Sequence, residues 1–456
     1  MPGLNSVMDT SLSALFAAQA GMATTGHNIA NANTEGYSRQ DVMFAARRPD
    51  ILPYGALGRG VEVQGVRRIQ NEFLTSNLRV QTSRLASYTE VDSTLYEVEA
   101  ILGSVDNDHL GNALNNFFNS WSALGQPPIN STLKQDVVSS AISLVQDFHN
   151  INDSLDDMEN NIEVSIQSEI SNLNQLLDGV AEMNQQILSA EASGQPANDL
   201  RDQRDLLITK ISEIAEVSVY EREDGSKDII LAGRTMVARD SVTHFASDYT
   251  KTSTGYQMTI VTQGHSQEVK LSNGKLEGLM TSRDVHIADV RDRLDALAEN
   301  LVNQVNELHT QGRTNTSSGV AFFSGDSMHT IEVNPALEAN PSMVATGRTS
   351  AEGDNTIALA IADLANVGIG GPNSQSVGDE YRALLTVVAS KRNSYEFSVE
   401  NQQNVVSTLK TKMASVSGVS LDEEGANMIK YQNSYNAAAR IVSTVQKMYD
   451  TLMNMV

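Results

Sequence analysis

Side chains able to do acid–base, metal or nucleophilic chemistry are present in this sequence, and their spacing decides whether they can act together. The eight histidines are His27, His109, His149, His244, His265, His286, His309 and His329. The closest two, His309 and His329, lie 20 residues apart, so there is no HExxH helix and no metal pair at i,i+4. Cysteine is absent, which removes thiolate zinc sites, thiol nucleophiles and disulfides. Neither GxSxG nor the phosphate-binding pattern GxxxxGKS/T occurs. The run GIGGPN lacks the third glycine of a dinucleotide fingerprint and reads as a loop. No catalytic, metal or cofactor-binding residue is assigned, and the expectation is a protein that is not an enzyme and carries no cofactor.

One stretch is dense enough in polar groups to reopen the question. GHNIANANTEGYSRQ, residues 26–40, holds His27, Asn28, Asn31, Asn33, Tyr37 and Arg39. Amides are poor helix-interior residues that favour turns, and Gly36 can take the positive φ that ends a helix. The stretch therefore reads as the end of an N-terminal helix and a bend, with Tyr37 and Arg39 contacting neighbouring elements; His27 has no partner that would make it a base or a ligand. Asp156-Asp157 lies on a helix face, and Asp422-Glu423-Glu424 follows Leu421 at a helix start, where acid complements the dipole. LRDQRDLLITKIS, residues 200–212, sets Arg201, Asp202, Arg204 and Asp205 on the first turns of a helix. That pattern suits either an ion-pair-laced helix face or a specific subunit contact.

The elements that would carry these groups are mostly helices. Leu4, Met8, Leu12, Leu15, Met22 and Ile29 make one narrow apolar stripe at the N-terminus. At the other end Leu421, Met428, Tyr435, Val442, Tyr449 and Val456 recur every seventh residue, with Tyr431, Ala438, Val445 and Leu452 three further on. This a/d register signals helix pairing, with a core helix of a bundle as the alternative. Narrow stripes need a partner surface, so residues 1–30 and 425–456 are expected to be mobile in a free subunit and ordered in an assembly. Helical stripes also run from Phe148 to Ile187, from Ile287 to Leu308 and from Tyr381 to Val416. Near 215 the pattern changes: VSVYEREDGSKDIIL places Asp224-Gly225 between two β-rich runs, and GYQMTIVTQGHSQEVKLSNGKL adds two candidate strands and an Asn-Gly turn. FFSG and TIEVNP suggest short strands in the irregular stretch 312–377.

The fold class is thus mainly α with an inserted β domain. Terminal helices at 1–40 and 417–456 form a coiled coil, 41–214 and 281–416 an elongated helical rod domain with irregular loops, and 215–280 a small β domain in the middle. Lys and Arg total 32 against 56 Asp and Glu, a net charge of −24, which disfavours nucleic acid and anionic membrane surfaces. No stretch reads as a cleaved signal peptide or a membrane span, so no membrane insertion is expected. A cytoplasmic protein and one exported without cleavage would share these absences.

With the motif at the end of the first helix and pairing stripes at both termini, the sequence resembles the axial proteins of the bacterial flagellum, and among them the hook-associated protein 1 family. The blocks that carry the likeness are SALFAAQAGMATTGHNIANANTEGYSRQ at 13–40, LRDQRDLLITKISEIAEVSV at 200–219, LDALAENLVNQVNELHTQG at 294–312, and SGVSLDEEGANMIKYQNSYNAAARIVSTVQKMYDTLMNM at 417–455. Glu35 departs from the proline members often carry before GY, so the turn must rely on Asn33 and Gly36. The resemblance implies a structural subunit exported by the flagellar type III apparatus and secreted to the hook–filament junction. It implies as partners the hook protein, hook-associated protein 3, copies of itself in a helical lattice, and a cytoplasmic export chaperone on the C-terminal helix. The implied assembly positions are Leu4, Met8, Leu12, Leu15, Met22, Asn28, Ile29, Asn31, Asn33, Gly36, Tyr37 and Arg39 at the N-terminus. At the C-terminus they are Leu421, Met428, Tyr431, Tyr435, Val442, Val445, Tyr449 and Leu452, the last helix serving assembly and chaperone alike. The rival readings are a rod or hook subunit of the same axial class, a secreted enzyme borne on an axial scaffold, and an intracellular coiled-coil scaffold.

Overall fold

The computed structural model describes residues 2–52, 55–103, 109–192, 194–251, 256–265, 267–314, 318–368 and 375–455. All of GIGGPN (368–373) but Gly368, and the last heptad position, Val456, lie outside the described residues. In chain order the elements begin with α1 (Pro2–Ala30), β1 (Gln40–Ala46), β2 (Asp50–Leu52), β3 (Gly55–Leu57) and β4 (Val61–Arg68). Then come α2 (Glu72–Leu102), α3 (His109–Leu124), α4 (Ser131–Glu191) and α5 (Asn198–Ile214). The middle strands are β5 (Val217–Glu221), β6 (Lys227–Leu231), β7 (Arg234–Ala238), β8 (Ser241–Val242), β9 (Phe245–Lys251) and β10 (Tyr256–Thr262). After α6 (Lys275–Thr281) a π-helical turn, Ser282–Ile287, leads into α7 (Ala288–Gln311). The short elements β11 (Phe323–Ser324), β12 (Glu332–Val333), α8 (Pro335–Ala339) and α9 (Thr356–Asp363) precede the last two helices, α10 (Val377–Ser417) and α11 (Leu421–Met453). The chain is mainly helical with strands inserted in its middle.

It divides into two compact units. The first comprises 1–85, 169–274 and 402–456, so both terminal helices and the strands from β5 to β10 belong to it. There β5, β6, β7 and β8 form an antiparallel sheet in sequence order, and β9 pairs with β10. Gly225 supplies φ +82° at the β5–β6 turn, where the Asp224 carboxylate accepts from the Ser226 amide at 3.0 Å. Two features differ from the sequence expectation for this stretch. EVKL forms only an isolated bridge, Val261 opposite Glu268, and Asn273-Gly274 does not close a hairpin but leads into α6. At Gly274, with φ +100°, a Cβ would fall 2.4 Å from the Ile214 carbonyl oxygen, so backbone approach dictates the glycine.

A larger difference lies at 40–68. This part of the expected helical segment 41–214 is a β ribbon, β1 pairing antiparallel with β4 from Gln40↔Arg68 to Ala46↔Val61. Its strands have few buried positions, so they lack the strong apolar alternation by which a half-buried strand is recognised. In the second unit, 86–168 and 275–401, the core is aromatic: Trp121, Phe117, Phe148, Phe322 and Phe323 are all essentially inaccessible. Within it His309 is fully buried, its Nδ1 donating to the Val320 carbonyl at 2.5 Å and its Nε2 accepting from the Ala345 amide at 3.0 Å.

Candidate functional site at the end of the first helix

α1 ends at Ala30, where Asn31 folds its amide back onto the His27 carbonyl at 3.0 Å. A tight turn follows, Tyr37 N–H reaching the Thr34 carbonyl at 3.2 Å, with Gly36 at φ +79°. The turn returns the chain beside the helix it has just left. Asn28, 1% exposed, accepts on Oδ1 from the Tyr37 hydroxyl at 2.7 Å and from the Gln40 amide at 3.0 Å. Its Nδ2 donates to the Gln40 carbonyl at 2.9 Å and to Glu424 at 3.2 Å. One asparagine thus saturates its hydrogen-bonding capacity by joining α1, β1 and α11.

Glu424 is buried at 2% exposure and is matched by Arg39, whose Nε lies 2.8 Å from it; Arg39 Nη1 also meets the exposed Glu423 at 2.9 Å. The Arg39 amide donates to the Ser417 carbonyl at 2.9 Å, and Ser420 caps α11 by accepting from the Glu423 amide. The acidic run at 422–424 therefore does more than complement a helix dipole: Glu424 is the C-terminal anchor of the bend.

α5 supplies the other wall. Asp202 accepts from the Ser38 amide at 2.9 Å and from Arg68 at 2.7 Å, and Gln40 reaches Asp199 at 2.7 Å. Asp205 is shared by Lys227 at 2.8 Å, Arg68 at 3.1 Å and Arg79 at 3.7 Å. Burial opposes its charge, but Lys227, Arg68 and Arg79 outweigh burial and hold its carboxyl at about 2. For Asp202 burial prevails over the Ser38 and Arg68 hydrogen bonds and its pKa is raised. Arg204, fully buried, donates to Asn184 at 3.0 Å and to the Gly225 carbonyl at 2.7 Å, tying α5 to α4 and to the β5–β6 turn. The RDQRD helix is thus an ion-paired face whose partners lie within the subunit and whose central residues, Asp202 and Arg204, are buried.

Two groups come closest to reactivity. His27 Nδ1 lies 3.0 Å from the Tyr37 hydroxyl and its Nε2 3.5 Å from Asp199, so it has partners. Those partners do not make a nucleophile. The Tyr37 proton is committed to Asn28, and burial, then Asp199, Asp202 and Glu424, push the Tyr37 pKa up. Asp199 and His27 are 59% and 41% exposed, too wet to polarise one another strongly. Among the described residues no group of three His, Asp or Glu could hold a metal ion. The arrangement holds elements together through its ion pairs and hydrogen bonds.

The helices leaving this joint pair with each other. On α11 the a/d positions face inward: Ala438 and Val445 are buried, while Met428, Tyr431, Tyr435, Val442, Tyr449 and Leu452 are half-buried. Of the positions assigned on α11 and described, Leu421 alone is exposed, at 57%. On α1 the buried seam is not the apolar stripe. Ser11, Ala18, Gly21, Thr25 and Asn28 are buried at steps of three, four or seven; Leu4, Met8, Leu15 and Met22 are half-buried, and Leu12 and Ile29 are exposed. The reason is close approach: a Cβ on Gly21 would sit 2.6 Å from the Tyr431 ring. Small residues on α1 receive large ones from α11, which displaces the large α1 side chains to the flanks. Asn31 and Tyr37 are half-buried and Asn33 and Gly36 exposed, all within the turn. Gln40, Arg68 and Lys227 were not singled out from sequence; the three acids Asp199, Asp202 and Asp205, spaced by three on one face of α5, were the available signal.

Both ends of the chain define a class. Residues 8–37 match the flagella basal body rod protein family and residues 410–455 the C-terminal family of flagellar basal body rod FlgEFG proteins, so the terminal helices are those of a flagellar axial protein. Between them, residues 95–323 match the family described as flagellar hook-associated protein FlgK helical domain. The chain belongs to the flagellar hook-associated protein FlgK family. It is 28% identical to flagellar hook-associated protein 1 of Bacillus subtilis, over 98% of this chain and 97% of that protein. Against the Salmonella typhimurium protein of the same name it is 25% identical, over 99% of this chain and all of that protein. The flagellar hook junction protein FlgK of Burkholderia pseudomallei shares the fold, with a TM-score of 0.67 at 14% identity over 75% of this chain and 100% of that one.

Proposed function

We propose that this protein is a structural subunit of the flagellar axis that sits at the hook–filament junction and is assembled through its paired terminal helices. The observation that carries this reading is the α1–α11 pair itself: the first and last helices of a 456-residue chain pack together, and each belongs to an axial-protein family. The joint at 26–40 fixes how the pair meets the rest of the subunit. The subunit assembles with other flagellar components. The hook protein lies on one side and hook-associated protein 3 on the other, and copies of the chain repeat around a lattice that does not close on itself. The type III apparatus exports the chain to the extracellular flagellum, with a cytoplasmic chaperone on the last helix beforehand. Its work is mechanical, and it catalyses nothing.

In the folded subunit the face of Tyr435, Val442 and Tyr449 is turned to α1, the Tyr449 hydroxyl bonding to Asn5. What remains for neighbours are the flanks: Phe16 at 65% exposure on α1, and Ile429 at 60% and Met448 at 50% on α11. Electron microscopy of a strain lacking the gene tests the assignment. Hooks without filaments are expected; loss of the hook or rod would point to the rival axial position.

A further inference from the structure

Between β1 and β4 the chain makes a two-stranded arm. β2 and β3 pair antiparallel, Ile51 opposite Ala56, and every residue from Ala46 to Arg59 whose side chain is described is exposed, Ile51 at 90%. A two-stranded hairpin with no packed face is marginal in water, so this arm needs a surface to lie on. Its charge is opposite to that of the molecule. Residues 47–60 hold three arginines against one acid, a local 3 − 1 = +2 in a chain of −24. Arg59 pairs with Asp50 and Arg67 with Asp41, each at 3.6 Å; Arg47 and Arg48 have no ion-pair partner among the described residues.

The chain itself carries a complementary surface. Residues 135–200, most of them in α4, contain twelve acids and no lysine or arginine. Some of these acids are answered inside the second unit, Asp156 and Glu159 by Arg291 and Glu163 by Arg283. Asp153, Asp157 and Val164 are instead exposed, and their spacings of four and seven put them on one helix face. Val164 is 66% exposed, an apolar side chain beside acids just as Ile51 is an apolar side chain beside arginines.

We propose that the arm of one copy docks on this acidic face of α4 in a neighbouring copy, Ile51 against Val164 and Arg47 and Arg48 against Asp153 and Asp157. The proposal rests on the reading of the protein as an axial subunit, because only a lattice of copies presents the second surface repeatedly. Arm and acceptor are different patches, so the contact is heterologous and propagates from copy to copy.

The absence of cysteine makes the test clean. Full-length chain carrying Ile51→Cys and Val164→Cys replaces the native copy in a flagellated strain, and sheared flagella are oxidised and run on a non-reducing gel. A ladder of linked subunits that the two single variants do not give is the expected result. Double-cysteine chain present in flagella as monomer alone overturns the docking and leaves the axial reading standing; wild-type chain absent from flagella overturns both. Because the cysteine pair could itself impair assembly, a charge exchange provides the second measurement. Arg47→Glu with Arg48→Glu, and separately Asp153→Lys with Asp157→Lys, should each lower the amount of chain in sheared flagella at least tenfold, and the four changes together should restore it. Wild-type amounts with either pair alone, or no restoration in the combination, overturn the proposal.

Discussion

Replacing Asp205 by asparagine tests the joint at its most charged point. The side chain is 13% exposed and faces Lys227 at 2.8 Å, Arg68 at 3.1 Å and Arg79 at 3.7 Å, themselves only 2%, 8% and 4% exposed. Asparagine preserves shape and one acceptor oxygen but removes the charge that three desolvated cations share. Breaking a buried pair from one side costs about 3–5 kcal/mol. Arg68 keeps Asp202, and Lys227 keeps Glu72 and Glu221 at 3.6 and 3.8 Å, so the lower end, about 3 kcal/mol, is expected. Proton linkage gives a second figure: a carboxyl moved from 3.8 to about 2 contributes about 2 kcal/mol. The sign follows from the depression. The unfolded chain binds the proton more tightly, so the stabilisation is present above about pH 4 and is lost as pH falls towards 2. Urea unfolding followed by far-ultraviolet circular dichroism should show Asp205→Asn less stable by about 2–3 kcal/mol at pH 7, with the difference shrinking below pH 4. A difference under about 0.5 kcal/mol at pH 7, the range of an ordinary surface change, or one that does not respond to acid, would refute the reasoning.

Other perturbations probe other links. A double-mutant cycle of Glu424→Gln with Arg39→Ala should return a coupling of about 1–2 kcal/mol, since Glu424 is buried while Arg39 keeps Glu423; zero coupling would mean that the contact is incidental. Gly21→Leu places a side chain where the Tyr431 ring stands, and should cost about 1–3 kcal/mol and speed hydrogen exchange across 425–453 relative to wild type. Tyr37→Phe removes the hydroxyl that bonds both Asn28 and His27, for a loss of about 1 kcal/mol in thermal or urea unfolding. Burial, opposed by the Val320 hydrogen bond and aided by the Lys134 charge, lowers the His309 pKa from 6.5 to about 4. Because that histidine is held neutral, its contribution is complete above pH 6.5 and falls away by about 3 kcal/mol as pH drops to 4. Trp121, whose ring lies 6.0 Å from His309, reports this unfolding by fluorescence, and His309→Gln should flatten the pH response.

The helices were legible because their cores are periodic. The stripe from Phe148 to Ile187 became part of the single helix α4, with Leu155, Leu173, Leu177 and Ile187 fully buried, and the heptads of the last helix became the face of α11 turned to α1. On α1 hydrophobicity does not mark the residues buried within the subunit. Where helices approach as closely as at Gly21, the buried residues are the small ones, Ser11, Ala18 and Thr25 among them. The β ribbon at 40–68 was missed for a related reason, its strands being too exposed to alternate clearly. The joint was half legible. Asn28, Gly36, Tyr37 and Arg39 were recognised as a bend, but Asn28 has a partner 396 residues away at Glu424 and the neighbouring Ser38 one 164 away at Asp202, separations that local pattern does not encode.

Immunogold electron microscopy of intact flagella, with an antibody raised against the β5–β10 region, tests the central claim most directly. A structural subunit at the junction predicts label at one position per flagellum, between hook and filament. Label spread along the hook or filament, or confined to the cell interior, would contradict the account.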